Sequence, residues 1–467
     1  MKICLIEPGL PKLRYQSLGI LYIAAVLEKH GFVVSILNLS GRKIKEKEVY
    51  EKLIEIKPNI VGISVAFGTT IGRAIIISRA AKQLGATVVW GGGFATALPE
   101  LVAEKEYVDV VVVGEGEYTM LELCKKLKQM KKTKGKKKLE KVNGIVFKNG
   151  NKIVRTKERK PIKNLDELPM PAWHLINALK YSCNESVMNY VYVSGSRGCY
   201  FRCSHCYNRF LQYDTVRFRS PRKVVDEIAY LRKKRGIRFF NFGDNDFTCN
   251  KKWLEEFCKE TIKRKLDIGW TCLSKIRPIN IKTLSLMKEA GCIFMFFGIE
   301  SASPKILKLL NRPTNIEMVK SLIDDCNRLG IFTKASFIIG IPTDTVEDLK
   351  ETIKFAKGIK PTEYTIFWYS PIPSTPLFEI SKKHGFEEPK TLEKWGEIDF
   401  FTDHNLVKSK EYKKLAKRFE IETLIKSSIN YRFVVLPRMV GLRTFAIFVR
   451  DFISIPRYFS KVFKSLS

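Results

Sequence analysis

Three cysteines, Cys199, Cys203 and Cys206, share the short run Gly198-Cys199-Tyr200-Phe201-Arg202-Cys203-Ser204-His205-Cys206-Tyr207. Thiolates of this kind ligate either zinc or an iron–sulfur cluster, and the two ask for different sets of donors. A structural zinc closes a tetrahedron with a fourth Cys or His, yet the sequence has no second Cys-x-x-Cys pair, and His205 is jammed between two of the cysteines. Three thiolates on one loop can instead wrap three corners of a cubane cluster and leave one iron open for a substrate-like ligand. Zinc is the alternative reading. The other cysteines, Cys4, Cys124, Cys183, Cys249, Cys258, Cys272, Cys292 and Cys326, form no second ligand group and read as small buried hydrophobes. Cys249 and Cys272, at predicted strand ends, are the two expected to face the site.

The elements that must hold this loop can be read from the apolar runs. Residues 3–6, 33–37, 60–65, 87–90 and 108–113 read as strands with amphipathic stretches between them, a βα series with a parallel sheet. Glycine corners follow its strand ends at Gly91-Gly92-Gly93 and Gly114-Glu115-Gly116-Glu117, where open α/β sheets place ligands. A Lys-dense segment, 125–141, reads as a solvated helix end and loop. Runs flanking Asn149-Gly150 predict a hairpin, and Leu165-Asp166-Glu167-Leu168-Pro169-Met170-Pro171 predicts an extended linker. A second series has strand candidates at 190–194, 239–242, 268–272, 293–299, 333–339 and 363–369. Six such units suggest a partial barrel, open on one side, with reacting residues at the C-terminal strand ends.

At the cysteine run the chain resembles the radical S-adenosylmethionine (SAM) superfamily. The resemblance implies a 4Fe–4S cluster held by Cys199, Cys203 and Cys206, with SAM chelating the fourth iron and being cleaved to a 5′-deoxyadenosyl radical. His205 stands where relatives carry an aromatic near the adenine. Phe242-Gly243-Asp244-Asn245-Asp246-Phe247-Thr248 matches the segment that places polar groups near the methionine ammonium, with Asn245 replacing the second acid of the usual pair. Phe297-Gly298-Ile299-Glu300-Ser301 resembles the segment whose Glu approaches the ribose, and a carboxylate suits two vicinal hydroxyl donors. Phe337-Ile338-Ile339-Gly340-Ile341-Pro342 resembles the strand and turn behind the adenine. Alone, each of these segments would read as core and turn.

The first series resembles the cobalamin-binding domain that precedes the barrel in many of these enzymes, through Pro8-Gly9, Leu18-Gly19-Ile20, Gly31-Phe32, Pro58-Asn59-Ile60-Val61-Gly62-Ile63-Ser64, Gly91-Gly92-Gly93 and the stretch to Glu117. Ser64, Gly91, Gly92 and Gly93 are its implied cofactor contacts. The resemblance runs to about residue 377 and is to the anaerobic magnesium-protoporphyrin ester cyclase-like group. Where relatives that ligate cobalt carry Asp-x-His-x-x-Gly, this chain has Asn38-Leu39-Ser40-Gly41, and His30 is expected to cap a helix. Cobalamin is therefore expected without a protein His lower ligand.

The full reading is an α/β chain: a Rossmann-like cobalamin-type domain (1–130), a Lys-rich segment with hairpin and linker (131–185), a partial (β/α)6 barrel (186–390) and a basic helical extension (391–467). Its 467 residues, with 45% hydrophobic, exclude a disordered chain. Cysteine usage and the absence of a signal-peptide pattern fit the cytoplasm. The most apolar stretch, 433–449, is cut by Pro437, Arg438 and Arg443, so membrane contact through the basic tail is expected to be peripheral. The expected activity is methyl transfer or oxidative cyclisation at an unactivated carbon of a small metabolite, with flavodoxin or ferredoxin as reductant. A net charge of +34 raises nucleic acid as a partner, and with it a tRNA-modifying relative. Such enzymes carry a second cluster on three N-terminal cysteines, whereas residues 1–127 hold only Cys4 and Cys124. A non-catalytic cobalamin or cluster sensor is the other alternative.

Overall fold

The computed structural model describes residues 1–11, 13–130, 136–178, 180, 190–211, 215–312, 314–400 and 402–430. Cys183 and the basic tail from 431 onward lie outside the described residues.

In the first unit, β1 (Lys2–Glu7), β2 (Val33–Asn38), β3 (Ile60–Ser64), β4 (Thr87–Gly91) and β5 (Val110–Val112) form a parallel sheet in the order β2-β1-β3-β4-β5. β1 is buried from Ile3 to Glu7, which is why its sequence is apolar without alternation: helices cover both faces. The Asn149-Gly150 hairpin forms as expected, with β6 (Ile145–Asn149) pairing β7 (Lys152–Arg155) and Asn149 opposite Lys152. The hairpin also pairs antiparallel with β5, Val111 opposite Val146, so it extends this sheet.

The second unit begins with β8 (Tyr190–Val193), followed by a small antiparallel pair, β9 (Ser196–Arg197) with β10 (Arg217–Phe218). Its main sheet continues with β11 (Phe239–Phe242), β12 (Gly269–Ser274), β13 (Cys292–Glu300), β14 (Phe332–Ile339) and β15 (Glu363–Trp368), in the order β8-β11-β12-β13-β14-β15. Every pairing is parallel. This is the open six-stranded barrel expected from the sequence, with β8 and β15 as its edges.

The segment beyond the barrel ties the molecule together. Helix Lys410–Asn430 covers the β15 edge: Ser427 Oγ accepts from the Tyr364 N–H at 2.7 Å, and Asn430 Nδ2 donates to the Thr362 carbonyl at 2.8 Å. Helix Leu392–Glu397 lies on helix Thr70–Gln83 of the first unit, so close that a Cβ on Gly396 would sit 2.8 Å from the Gly72 nitrogen. Its Trp395 is fully buried, edge-on to Phe94 at 5.7 Å. Among the described residues no helix is long and apolar enough to cross a membrane.

Candidate active site

The cysteine loop leaves the β9 strand through Gly198. Its φ is +101°, and a Cβ there would come within 1.8 Å of the Thr215 carbonyl oxygen, so only glycine passes. The loop is then strapped from two sides. Ser204 N–H donates to the Leu310 carbonyl at 2.8 Å, Asn311 Nδ2 to the Arg202 carbonyl at 2.9 Å, and Leu377 N–H to the Ser204 carbonyl at 3.0 Å. Cys199 and Cys203 are buried and Cys206 is half-buried, all three as free thiols. Burial raises the Cys206 pKa, while the backbone N–H of Asn208 and the charge of Lys275 pull it down. No three His, Cys, Asp or Glu side chains among the described residues converge as a single ion would require. A cubane takes one thiolate at each of three iron corners, and Cys199 and Cys203 both lie near enough to Cys206 to act on its charge.

The strand ends around this loop carry the other candidates. At the end of β13 the register with β14 shifts between Gly298 and Glu300, and Glu300 takes φ +71°, a left-handed conformation costly for a non-glycine residue. This bulge re-aims the carboxylate. Gly298 makes room: a Cβ on it would meet Glu300 Oε1 at 2.6 Å. Glu300 then stands 3.5 Å from Arg312 Nη2, both side chains largely buried. His205 is close enough to feel both charges, and burial pushes its pKa down to about 4. Its Nδ1 is buried without a partner among the described residues.

Asp244 is placed differently from a free ligand group. Its carboxylate accepts from Gly195 N–H at 3.0 Å and Ser196 Oγ at 2.5 Å, pinning the turn between β8 and β9. Burial lifts its pKa to about 6 against those bonds. Asn245 reaches the cysteine loop itself: Nδ2 donates to the Gly198 carbonyl at 3.2 Å, and Oδ1 accepts from Asn208 at 2.7 Å. Ser301 Oγ accepts from Ser303 N–H at 3.1 Å and lies 3.0 Å from Thr352 Oγ1, inside the capping network of the next helix. Gly340 N–H donates to Tyr412 of helix Lys410–Asn430 at 2.8 Å, and that hydroxyl in turn donates to Asp344. Cys249 lies near Cys199 and Asp246 and is half-buried. Cys272, expected to face the site, is instead fully buried in the barrel core beside Cys292. Its neighbour in sequence Leu273 is the exposed one, because alternate strand residues face opposite ways.

A cavity of about 320 Å³ lies where the two sheets present their C-terminal ends to each other. The first unit supplies Gly62, Ser64, Gly91-Gly92-Gly93 and Gly114-Glu115-Gly116-Glu117; the barrel supplies Ser194, Ser196, Arg197 and Gly243. Glu115 and Glu117 were legible as a ligand corner, but their partners were not. Arg197 pairs with Glu117 at 2.6 Å and Glu115 at 3.3 Å, and Arg217 pairs with Glu115 at 2.9 Å. Burial opposes the Glu115 charge, yet the bond from Arg217 and the charge of Arg197 outweigh it and hold its pKa below the carboxylate range. Arg197 also lies over the Tyr22 ring at 4.9 Å. The cavity wall and the start of the cysteine loop are thus one ion-paired structure.

Residues 193–356 match the radical SAM superfamily, and residues 11–124 match the B12 binding domain. A relative in Pyrococcus horikoshii, named an uncharacterised methyltransferase, is 30% identical over 91% of this chain and 92% of its own. The chain belongs to the B12-domain radical SAM enzymes. To the anaerobic magnesium-protoporphyrin IX monomethyl ester cyclase of Rubrivivax gelatinosus this radical SAM enzyme is 33% identical, over 77% of its own length and 65% of the cyclase. In fold it is similar to the radical SAM methyltransferase TsrM from Kitasatospora setae, solved with cobalamin and a [4Fe-4S] cluster bound, at TM-score 0.67 and 20% identity over 82% of this chain and 75% of that one. Membership carries with it a 4Fe–4S cluster and SAM as the family's cofactors. The protein is an enzyme of the methyltransferase and cyclase type.

In this radical SAM enzyme the segment Asn38-Leu39-Ser40-Gly41 is engaged with its own surroundings. Asn38 Nδ2 donates to the Tyr15 carbonyl at 2.7 Å, its Oδ1 accepts from Ser40 N–H at 3.0 Å, and Arg73 Nη2 donates to the Leu39 carbonyl at 2.7 Å. His30 is the C-terminal cap of helix Leu18–Lys29, its Nδ1 2.8 Å from the Val26 carbonyl. Cys4 and Cys124 are both fully buried in the first unit's core, where desolvation raises their thiol pKa values to about 11 and about 12.

Proposed function

We propose that this enzyme transfers a methyl group to an unactivated carbon of a small metabolite held between the glycine-lined cavity and the cysteine loop. Cys199, Cys203 and Cys206 would hold the cluster, and Glu300 the SAM ribose; Asn245 would brace the cluster loop. Ser64 and Gly91-Gly92-Gly93 would line the corrinoid side. When bound, the cluster and SAM supply hydrogen-atom abstraction and the corrinoid a transferable methyl group; the chain orients them and excludes water. The observation that carries this reading is the cavity shared by both units, whose Arg197 is two residues from Cys199. An apolar face for the substrate is supported by Tyr207, directly after Cys206, packing on Phe67 at 6.1 Å, with Phe400 of the C-terminal segment 5.7 Å beyond. The Pyrococcus relative, matched over nearly its whole length, bears a methyltransferase name. Flavodoxin or ferredoxin in the cytoplasm would supply the electron.

The test uses anaerobically reconstituted enzyme with methyl-deuterated SAM and extract from cells lacking the gene. A product carrying the labelled methyl group supports transfer. Loss of two hydrogens without label selects oxidative cyclisation, the second reading, which the identity to the Rubrivivax cyclase favours.

Glu300→Gln should weaken SAM binding roughly ten- to a hundredfold, about 1.5 to 3 kcal/mol for a charge-assisted hydrogen bond, with iron content unchanged. Equilibrium binding of SAM to the two reconstituted proteins measures it, and equal affinities would place Glu300 in a purely structural role.

The lower face of the corrinoid is tested separately. Because Asn38 and Ser40 are internally satisfied and His30 caps a helix, cob(II)alamin bound to the protein should show paramagnetic resonance lines without nitrogen superhyperfine splitting. The same spectrum is expected from His30→Ala. Splitting that disappears in that variant would make His30 a cobalt ligand.

A further inference from the structure

Two cations meet the cysteine loop from outside it: Lys275, over the Phe201 ring at 5.7 Å, and Arg312, which reaches the Cys203 sulfur itself. Arg312 lies just beyond helix Pro304–Leu309 and is 4% exposed. Nη1 donates to Cys203 Sγ at 3.7 Å, Nη2 donates to the Gly298 carbonyl, and the guanidinium pairs with Glu300 at 3.5 Å. Its Nε is buried with no acceptor among the described residues. A cation buried this deeply is costly unless its neighbours are anionic. The Glu300 carboxylate supplies one such charge, and a thiolate at Cys203 would supply the other.

We propose that Arg312 is a positioning residue that sets the reduction potential of the cluster and couples it to the SAM-binding carboxylate. The proposal rests on the reading of Cys199, Cys203 and Cys206 as cluster ligands. Reduction of a 4Fe–4S cluster from the 2+ to the 1+ state adds one electron from an external donor and no proton, so the cluster and its thiolates become more negative by one charge. Hydrogen bonds to ligand sulfur and nearby positive charge stabilise that added electron and raise the potential. Arg312 supplies both to Cys203. Because one planar fork holds Cys203, Gly298 and Glu300 together, a change in the hold on Glu300 is transmitted to the sulfur. The bulge that gives Glu300 its φ of +71° brings the Gly298 carbonyl and the Glu300 carboxylate to the same nitrogen, Nη2, while Nη1 reaches Cys203.

The experiment is a redox titration of reconstituted full-length enzyme, followed by paramagnetic resonance of the reduced cluster with dithionite-based mediators. Iron content of the wild-type protein reports on the ligand reading, and the midpoint reports on Arg312, so the two can fail separately. Arg312→Met, close in length but uncharged, is expected to lower the equilibrium constant for reduction at least tenfold, which for one electron is about 59 mV. Arg312→Lys, keeping charge but losing the fork, should fall between it and the wild type. Equal midpoints in all three proteins would overturn the proposal. Should the Met variant fail to retain iron, the Lys variant decides: a lowered midpoint supports the role, and an unchanged one overturns it.

Discussion

Replacement of Cys199, Cys203 or Cys206 by alanine should abolish both the visible absorption of a reconstituted cluster and SAM cleavage, whereas Cys258→Ala and Cys326→Ala should preserve both. Cys258 and Cys326 are fully buried in the barrel core, where burial pushes both thiols above their ordinary pKa. Neither has a second cysteine at ligand spacing in the sequence, and each packs among the apolar side chains of the barrel core. Their replacement should cost stability alone, about 1 kcal/mol, seen as a small shift in thermal unfolding. Each member of the triplet, by contrast, stands on the loop strapped by Leu310, Asn311 and Leu377, and loss of one thiolate leaves an iron corner without its ligand. Iron analysis and the yield of 5′-deoxyadenosine measure the two effects. A triplet variant that kept about four irons and still cleaved SAM would refute the assignment of the ligands.

The sequence makes the cysteine loop legible because its chemistry is local: three donors at fixed spacing need no tertiary information. The two βα series are legible for a similar reason, since apolar strand runs and glycine corners report the parallel sheets directly. Position along the strands was harder to read. Cys272 was expected at a strand end, yet β12 runs on to Ser274 and Cys272 faces the core, because the side-chain period of two turns a one-residue uncertainty in position into the opposite face. Arg312 gave no signal at all: one arginine near the end of a short helix, brought beside Cys203 by a contact between residues 109 apart. Glu300 lay between these cases. Its residue type was readable within Gly298-Ile299-Glu300-Ser301, but the bulge that aims it depends on pairing with β14. Long-range ion pairs, such as Arg197 with Glu117, carry no periodicity and so leave no pattern to read.

That ion pair has a large expected effect of its own. Arg197→Met should lower stability by about 3 to 5 kcal/mol, the cost of leaving buried carboxylates without their cation. Arg197, Glu115 and Glu117 have side chains exposed by only 16%, 9% and 4%, so water cannot replace the lost partner. Arg217 still neutralises Glu115 at 2.9 Å, which leaves Glu117, 2.6 Å from Arg197 in the native protein, as the principal source of the penalty. Glu117→Gln should therefore rescue part of the loss when combined with Arg197→Met, giving a coupling energy of about 0.5 to 3 kcal/mol in a double-mutant cycle. Because the pair joins the first unit to the barrel, calorimetry of Arg197→Met should show the two units unfolding further apart in temperature than in the wild type. The same substitution removes a wall of the cavity next to the cysteine loop, so corrinoid affinity should drop along with stability. An unshifted thermal profile for Arg197→Met would mean that the desolvation of these charges already cancels their attraction, and that the remaining contacts, Arg217 with Glu115 and the packing of Leu392–Glu397 on Thr70–Gln83, hold the units together.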